Sequence, residues 1–518
     1  MFLGLVSVVL PVGLNAQTSP AGAATGKSAL PLLGDGSAMA SAEERRLGDR
    51  IARELYRDPD YLDDPVLGDY VQGVWQPLLA AARVRGDLTP ELDERFAWKI
   101  LLGRDRSVNA FALPGGYLGV HLGLLAVVSS RDELASVLGH ELSHITQRHI
   151  SRLIAKDSQQ SPWLIAAMIL GVLAASQSPE TGNALLVGGQ ALSAQSQLNF
   201  SRDMEREADR IGFGVMTQAG FEAAGFVTMF DKLQQAGRLN DNGAFPYLRS
   251  HPLTTERIAD VQSRLPLGAP HPATPVPTVL HAMMATRAKL LSNPGPDALR
   301  GWQAQVQDSG LTMRPLAQQA GAWYGAALAA IRLRDVATAR HNLTRLQSLV
   351  ADQPLALPPV RWLAAEIDLA ARDQPRQQVR ALIEQLGASD VMQGRPRRPA
   401  LLLQAQAALQ VNLPDTLAQS AQNLQTWLAT DPQDALAWQW LASLYATQNQ
   451  TLRALRAEAE AQAARLDYAG AIDRLKAAQE RMKAAGARSS SADHIDASII
   501  DTRLRQVQAL LKEQALSR

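Results

Sequence analysis

Between residues 139 and 148 the chain reads Gly139-His140-Glu141-Leu142-Ser143-His144-Ile145-Thr146-Gln147-Arg148, an H-E-x-x-H pattern inside a stretch of helical periodicity. Residues i and i+4 share one helix face, so His140 and His144 can reach a single metal ion with Glu141 beside it. The helix is expected independently of that pattern. Ser130 and Glu133 form a capping box, and Leu134, Leu138, Leu142 and Ile145 recur behind it at helical spacing, giving one apolar face to bury. Two histidines set this way in a capped helix form the signature of zinc hydrolases.

Catalytic zinc usually takes three protein groups and a water, so a third ligand must come from elsewhere. A Gly at 147 and a His at 150 would supply one locally, but the chain has Gln147 and Ile150. On a continuous helix His149 stands roughly 140° away from His144, at about 100° per residue, which places it on the surface or in a supporting role. Downstream, Ser201-Arg202-Asp203-Met204-Glu205-Arg206-Glu207-Ala208-Asp209 offers Glu205 and Asp209 one helical turn apart. One carboxylate can bind the ion while the other holds a ligand histidine through its free ring N–H. By itself this segment fits a solvated charged face; beside H-E-x-x-H it completes a site of two histidines and a carboxylate.

The N-terminal residues 2–14 are short and apolar, and Leu14-Asn15-Ala16 resembles a small-residue cleavage site, so 1–16 is expected to be a signal peptide. No basic residue precedes the apolar run, which leaves an uncleaved anchor as the alternative, although the run is short for a membrane span. Residues 17–40, rich in Ser, Gly, Ala and Pro, read as a flexible segment. Ser41 and Glu44 form a second capping box, opening a helix over 43–56.

The run 163–175 carries no charge and would span only about 20 Å as a helix, too short for a bilayer core. With the weakly polar run 183–194 it reads either as buried helix or as a membrane-facing, substrate-gating flap. Pro266, Pro270, Pro272, Pro275 and Pro277 mark 265–279 as an extended linker. Beyond it the chain is Ala-, Leu-, Gln- and Arg-rich with helical periodicity. Trp323, Ala327, Ala330 and Ala339, and then Trp438, Leu441, Ala442, Tyr445 and Ala454, fall at tetratricopeptide spacing. The stretches around Trp362 and Leu402 are degenerate, so generic helical hairpins are the alternative. Tyr468-Ala469-Gly470-Ala471-Ile472 opens a last hairpin.

At 518 residues and 46% hydrophobic, the chain is long enough for about two to four domains. A net charge of +1 gives no electrostatic reason to expect nucleic acid as a partner. Arg395-Pro396-Arg397-Arg398-Pro399 reads as a small basic patch on a solvated loop. With no cysteine, thiolate zinc sites, disulfides and cysteine nucleophiles are excluded together.

His140-Glu141-x-x-His144 followed by Glu205-x-Glu207-Ala208-Asp209, with Asn109-Ala110-Phe111-Ala112-Leu113-Pro114-Gly115-Gly116-Tyr117 upstream, resembles the gluzincin peptidases that include the CAAX prenyl proteases and heat-shock protein X. The likeness extends to members in the Gram-negative periplasm whose peptidase domain is followed by tetratricopeptide repeats, and is strongest over 41–260. It implies His140, His144 and Glu205 as ligands of one Zn2+ per chain, Glu141 as general base and Asp209 as support behind the ligands. Ser250-His251-Pro252-Leu253 matches a loop whose histidine reaches the zinc from the far side and takes the water's place at rest, so His251 is both a candidate ligand and a switch.

The expected fold is mainly α. A small α+β zincin metalloprotease domain spans 41–264, a Pro-rich linker and connecting helix 265–300, an α-solenoid of tetratricopeptide-like hairpins 301–485, and a C-terminal helix or tail 486–518. The resemblance further implies a periplasmic endopeptidase in quality control and assembly of outer-membrane proteins. Its repeats would meet unfolded or stalled substrates or the barrel-assembly machinery, and 163–175 would touch the outer membrane peripherally. The alternative is a chaperone or adaptor working through the repeats, with a latent protease site.

Overall fold

The computed structural model describes residues 39–156, 201–238, 245–265, 272, 275–371, 375–389, 391–392, 395–485 and 491–516. The expected signal peptide, nearly all of the segment 17–40, and the runs 163–175 and 183–194 lie outside the described residues.

The chain begins with α1 (Ser41–Arg57), β1 (Tyr61–Leu62), α2 (Pro65–Arg85) and α3 (Pro90–Arg95). It continues through β2 (Lys99–Gly103), β3 (Ala110–Leu113), β4 (Tyr117–His121), α4 (Leu122–Val127), α5 (Arg131–Thr146) and α6 (His149–Lys156). The four strands lie in the order β1-β2-β4-β3, with β2 and β4 parallel and the outer pairs antiparallel. β3 is thus an edge strand, and it lies against α5. The turn from β3 to β4 is Pro114-Gly115-Gly116, where the glycines take φ of 71° and 87°. A Cβ on Gly116 would stand 2.7 Å from Phe96 Cβ, so this turn accepts glycine alone.

The capping of α5 agrees with expectation at Ser130, whose hydroxyl accepts from Glu133 N at 3.1 Å. The return bond differs: the Glu133 carboxylate accepts from Ser129 N at 2.6 Å and from Lys232 Nζ at 2.6 Å. The other expected box fails. Helix α1 starts at Ser41 with Ala40 as an N-cap that makes no side-chain bond. Ser41 donates instead to Glu91 Oε1 at 2.7 Å, and Glu44 receives Arg148 Nε at 2.8 Å, so long-range partners have claimed both side chains.

Residues 133–146 of α5 are buried throughout, between α2 and helices Arg202–Gln218 and Ala224–Arg238. Each leucine there contributes about 1.5–3 kcal/mol by leaving water. The core containing Leu138 and Phe226 continues through Met283, Tyr324 and Trp362, so α5 and the helices after Val279 share one interior.

The architecture is mainly helical, as expected. After Leu316 the helices stack in sequence, Leu316–Arg332 on Val336–Leu349 and Ala435–Thr447 on Thr451–Ala464, with Ala327, Ala330 and Ala339 fully buried where they meet. The helix expected to be a mere connector, Val279–Ser292, is mostly buried. Its Arg287 binds Asp64 at 2.8 Å and Glu366 at 2.7 Å, and its His281 takes Tyr70 Oη at 2.6 Å and Val128 O at 2.7 Å. The expected border at residue 301 falls inside helix Pro296–Gln305.

The basic run is not a solvated loop. Arg397 pairs with Asp69 and lies over the Trp362 ring at 4.5 Å, while Arg398 bridges Asp63 at 2.8 Å and Asp434 at 2.7 Å. Further along, Leu466 and Tyr468 pack with Leu47 and Ile51 of α1. The helical array therefore returns to the segment between α1 and α2 at several points.

Candidate active site

Two helices bring the candidate residues together, and they cross at a pair of glycines. A Cβ on Gly212 would lie 2.9 Å from Gly139 C, Gly139 O and His140 N, a separation that no side chain tolerates. The backbones thus touch at Gly139 and the His140 amide, which sets the carboxylates of helix Arg202–Gln218 against the histidines of α5. The Ser201 hydroxyl caps that helix by accepting from Met204 N at 3.3 Å.

His140, His144, Glu205 and His251 converge, all buried, with one donor atom of each lying within 4.8 Å of the others. His140 Nε2 is 3.0 Å from His144 Nε2 and 3.5 Å from Glu205 Oε2, and His144 Nε2 is 3.4 Å from Glu205 Oε1. His251 Nδ1 lies 3.3 Å from His140 Nε2 and 2.9 Å from Glu205 Oε1. Ligands bonded at about 2.1 Å in a tetrahedron stand roughly 3.4 Å apart, so these residues fit the shell of one small divalent cation. Three imidazoles and a carboxylate, without sulfur, suit a divalent transition metal.

Each donor is oriented from behind. Asp209 Oδ1 accepts from His140 Nδ1 at 2.9 Å, and Arg257 clamps Asp209 through Nε at 2.6 Å and Nη2 at 2.8 Å. Arg257 Nη1 reaches Glu205 Oε2 at 2.7 Å and donates to Pro252 O at 2.9 Å, so one guanidinium ties both carboxylates to the His251 loop. Glu141 is anchored at one oxygen only. Its Oε2 accepts from Ala112 N of β3 at 2.9 Å, while its buried Oε1 has no hydrogen bond and faces His251 Nε2 at 3.4 Å. Tyr247 stacks on the His251 ring at 4.6 Å.

Burial dominates the electrostatics. It lowers the His144 pKa well below the usual histidine value and raises that of Glu141. His140, which burial alone would lower, is held up to about 9 by Asp209 and Glu205. Glu205, despite its burial, is kept well below the ordinary carboxylate range by His251, His140 and His144. Asp209 is likewise lowered against its burial, by Arg257 and His140.

His149 does not enter the cluster. Arg148 takes φ of 53° and breaks the helix between α5 and α6, so the continuous-helix geometry that put His149 far round the axis does not apply. Its Nδ1 stands 2.8 Å from His144 Nδ1. The sequence pointed to neither Arg257 nor Tyr247. Arg257 opens an unremarkable capped helix, and only its distance from Asp209, 48 positions away in the chain, reveals it.

The site defines a class. Residues 87–265 match the family model for Peptidase family M48. Along most of its length it is similar to the beta-barrel assembly-enhancing proteases. It is 28% identical over 492 residues to that of Escherichia coli, 92% of each chain, and 33% identical over 323 residues to a putative one of Vibrio cholerae, 62% of each chain. It is also 33% identical over 165 residues to the mitochondrial metalloendopeptidase OMA1 of Arabidopsis thaliana, covering 32% of this chain and 31% of that one. The resemblance drawn from the motifs is thereby borne out. Among the described residues no helix is long and apolar enough to cross a membrane.

Proposed function

We propose that the chain is a zinc-dependent endopeptidase of the periplasm, acting in quality control and assembly of outer-membrane proteins. The observation that carries this reading is the buried convergence of His140, His144, Glu205 and His251 within the segment that matches family M48, with Glu141 anchored beside them. His140 and His144 through Nε2, and Glu205 through its carboxylate, would hold one Zn2+. Bound there, zinc polarises a substrate carbonyl and acidifies a water. Glu141, fixed by the Ala112 N–H at Oε2, takes the proton at Oε1 and passes it to the leaving amine nitrogen. Asp209 keeps the His140 ring proton on Nδ1, leaving Nε2 for the ion.

In the domain organisation we propose, the peptidase body covers 41–264, a junction 265–300, tetratricopeptide-like repeats 301–485 and a last helix 486–518, behind a signal peptide at 1–16. The names of the relatives support a role in barrel assembly, and the repeats supply a surface for unfolded or stalled outer-membrane proteins or their assembly machinery. The run 163–175 would touch the membrane peripherally.

A second reading, a chaperone or adaptor with a latent site, draws on His251, which stands between Glu205 and Glu141. Both are tested by cleavage of an unfolded outer-membrane protein by the full chain beside Glu141→Gln at matched zinc content. Cleavage by the parent alone is expected. No cleavage by either, with client folding still assisted, would replace the first reading by the second.

A further inference from the structure

A row of hydrogen bonds runs outward from the site on the side away from Asp209. His144 turns Nε2 towards His140 and Glu205, and its other nitrogen, Nδ1, meets His149 Nδ1 at 2.8 Å. His149 Nε2 then meets Glu207 Oε2 at 3.0 Å, and Arg152 Nη1 holds the same oxygen at 2.9 Å. His144 and His149 have fully buried side chains, whereas Glu207 is 31% exposed at the rim.

The proton positions along this row follow from valence. A neutral imidazole carries one ring proton, and a contact between two ring nitrogens needs one donor and one acceptor. If His144 offers its Nε2 lone pair to an ion, its proton sits on Nδ1 and is donated to His149. His149 Nδ1 must then be a lone pair, which puts the His149 proton on Nε2. There it finds Glu207, an ionised carboxylate beside Arg152 that can only accept. Every contact is satisfied in this one sense and in no other that leaves His144 Nε2 free.

We infer that His149 and Glu207 are positioning residues of the metal site: Glu207 sets the tautomer of His149, and His149 sets that of His144. The two ligand histidines are thus supported alike by a carboxylate, His140 directly through Asp209 and His144 through an interposed imidazole. The inference rests on the reading of His140, His144 and Glu205 as metal ligands. The break at Arg148 is what allows it, because His149 could not turn back on His144 from a continuing helix. Arg148 is held in that conformation by Glu44, Ser151 and the Met39 carbonyl.

Metal affinity of the full chain tests this, measured by competition with a chelator for Zn2+ and by the visible absorption of bound Co2+. Thermal unfolding of the metal-free proteins serves as the fold control. His149→Phe removes the acceptor and is expected to weaken zinc binding about 10–100-fold. His149→Asn keeps an acceptor near the Nδ1 position and should recover most of that loss. Glu207→Ala, at a partly exposed position, should weaken binding in the same direction by a smaller factor. Affinities of His149→Phe and Glu207→Ala within about twofold of the parent would overturn the inference. So would an Asn variant as weak as the Phe variant, since packing rather than the acceptor would then be at stake. His144→Ala separates the underlying reading: if it binds zinc like the parent, the ligand assignment fails and the inference with it. If it loses zinc while His149→Phe does not, only the inference fails.

Discussion

Gly212 has no room for a methyl group, and the reason lies in what it touches. A Cβ there would press on the His140 amide and on the Gly139 carbonyl group, so Gly212→Ala must part the two helices that carry the candidate ligands. An overpacked core of this kind costs about 1–3 kcal/mol, and the separation should also weaken metal binding. Denaturant unfolding and chelator competition on the same protein would check both, and an unchanged affinity would mean that the site relaxes independently of the crossing. His251→Ala should alter proteolysis while metal remains bound, read as peptide turnover at equal zinc content. At this scale the motif was legible because an i, i+4 pair is a local geometric fact. Arg257 was not legible, because its meaning depends on Asp209 in another helix. His149 was read through a helix that the left-handed Arg148 interrupts.

Among the elements, β3 joins sheet to chemistry. Its Ala112 N–H points to Glu141 Oε2, away from its ladder partner β4. Ala112→Pro would therefore remove this one donor without costing a sheet bond, as edge strands permit. The expected outcome is unchanged zinc content and a turnover number at least about tenfold lower, since a base that is no longer oriented loses much of its roughly 10²–10⁴-fold effect. A turnover equal to the parent's would show that the anchor is dispensable. Helices were readable from apolar spacing and caps, as at Ser130, wherever the cap's partner lay within the same turn. Ser41 misled because its hydroxyl crosses to Glu91. The short strands carry no long alternation, so periodicity revealed none of them.

At the scale of the molecule, the helical array is tied back to α2 and the residues before it by partly buried ion pairs whose partners are far apart in sequence, 328 positions for Arg397 and Asp69 and 335 for Arg398 and Asp63. No reading of local pattern could pair them, which is why the basic run passed for a solvated loop. Arg287→Ala would strand Asp64 and Glu366 without their cation, at a cost of about 3–5 kcal/mol. The exposed Arg300→Ala should move stability by less than about 1 kcal/mol in the same urea titration. His281 adds a pH dependence. Burial lowers its pKa, so the folded protein holds fewer protons there than the unfolded chain. Its contribution is complete above the ordinary histidine value of about 6.5 and fades as pH falls through the lower folded value, by at most about 1.4 kcal/mol per pH unit. The unfolding midpoint of the parent should therefore drop more between pH 7.5 and 5.5 than that of His281→Gln; parallel curves would exclude His281 as the source.

The returns of the array to the segment around Asp63 have a consequence for how the chain comes apart. A linear stack of hairpins frays from its free end, one unit at a time, each unit answering only to its neighbours. Here Leu466 and Tyr468 rest on α1, and Asp467 meets Arg57 across 410 positions, so the stack is closed into a ring. Melting the late hairpins must strip α1 of its cover, and loss of α1 releases the late hairpins, so hydrogen exchange at the two should slow and quicken together.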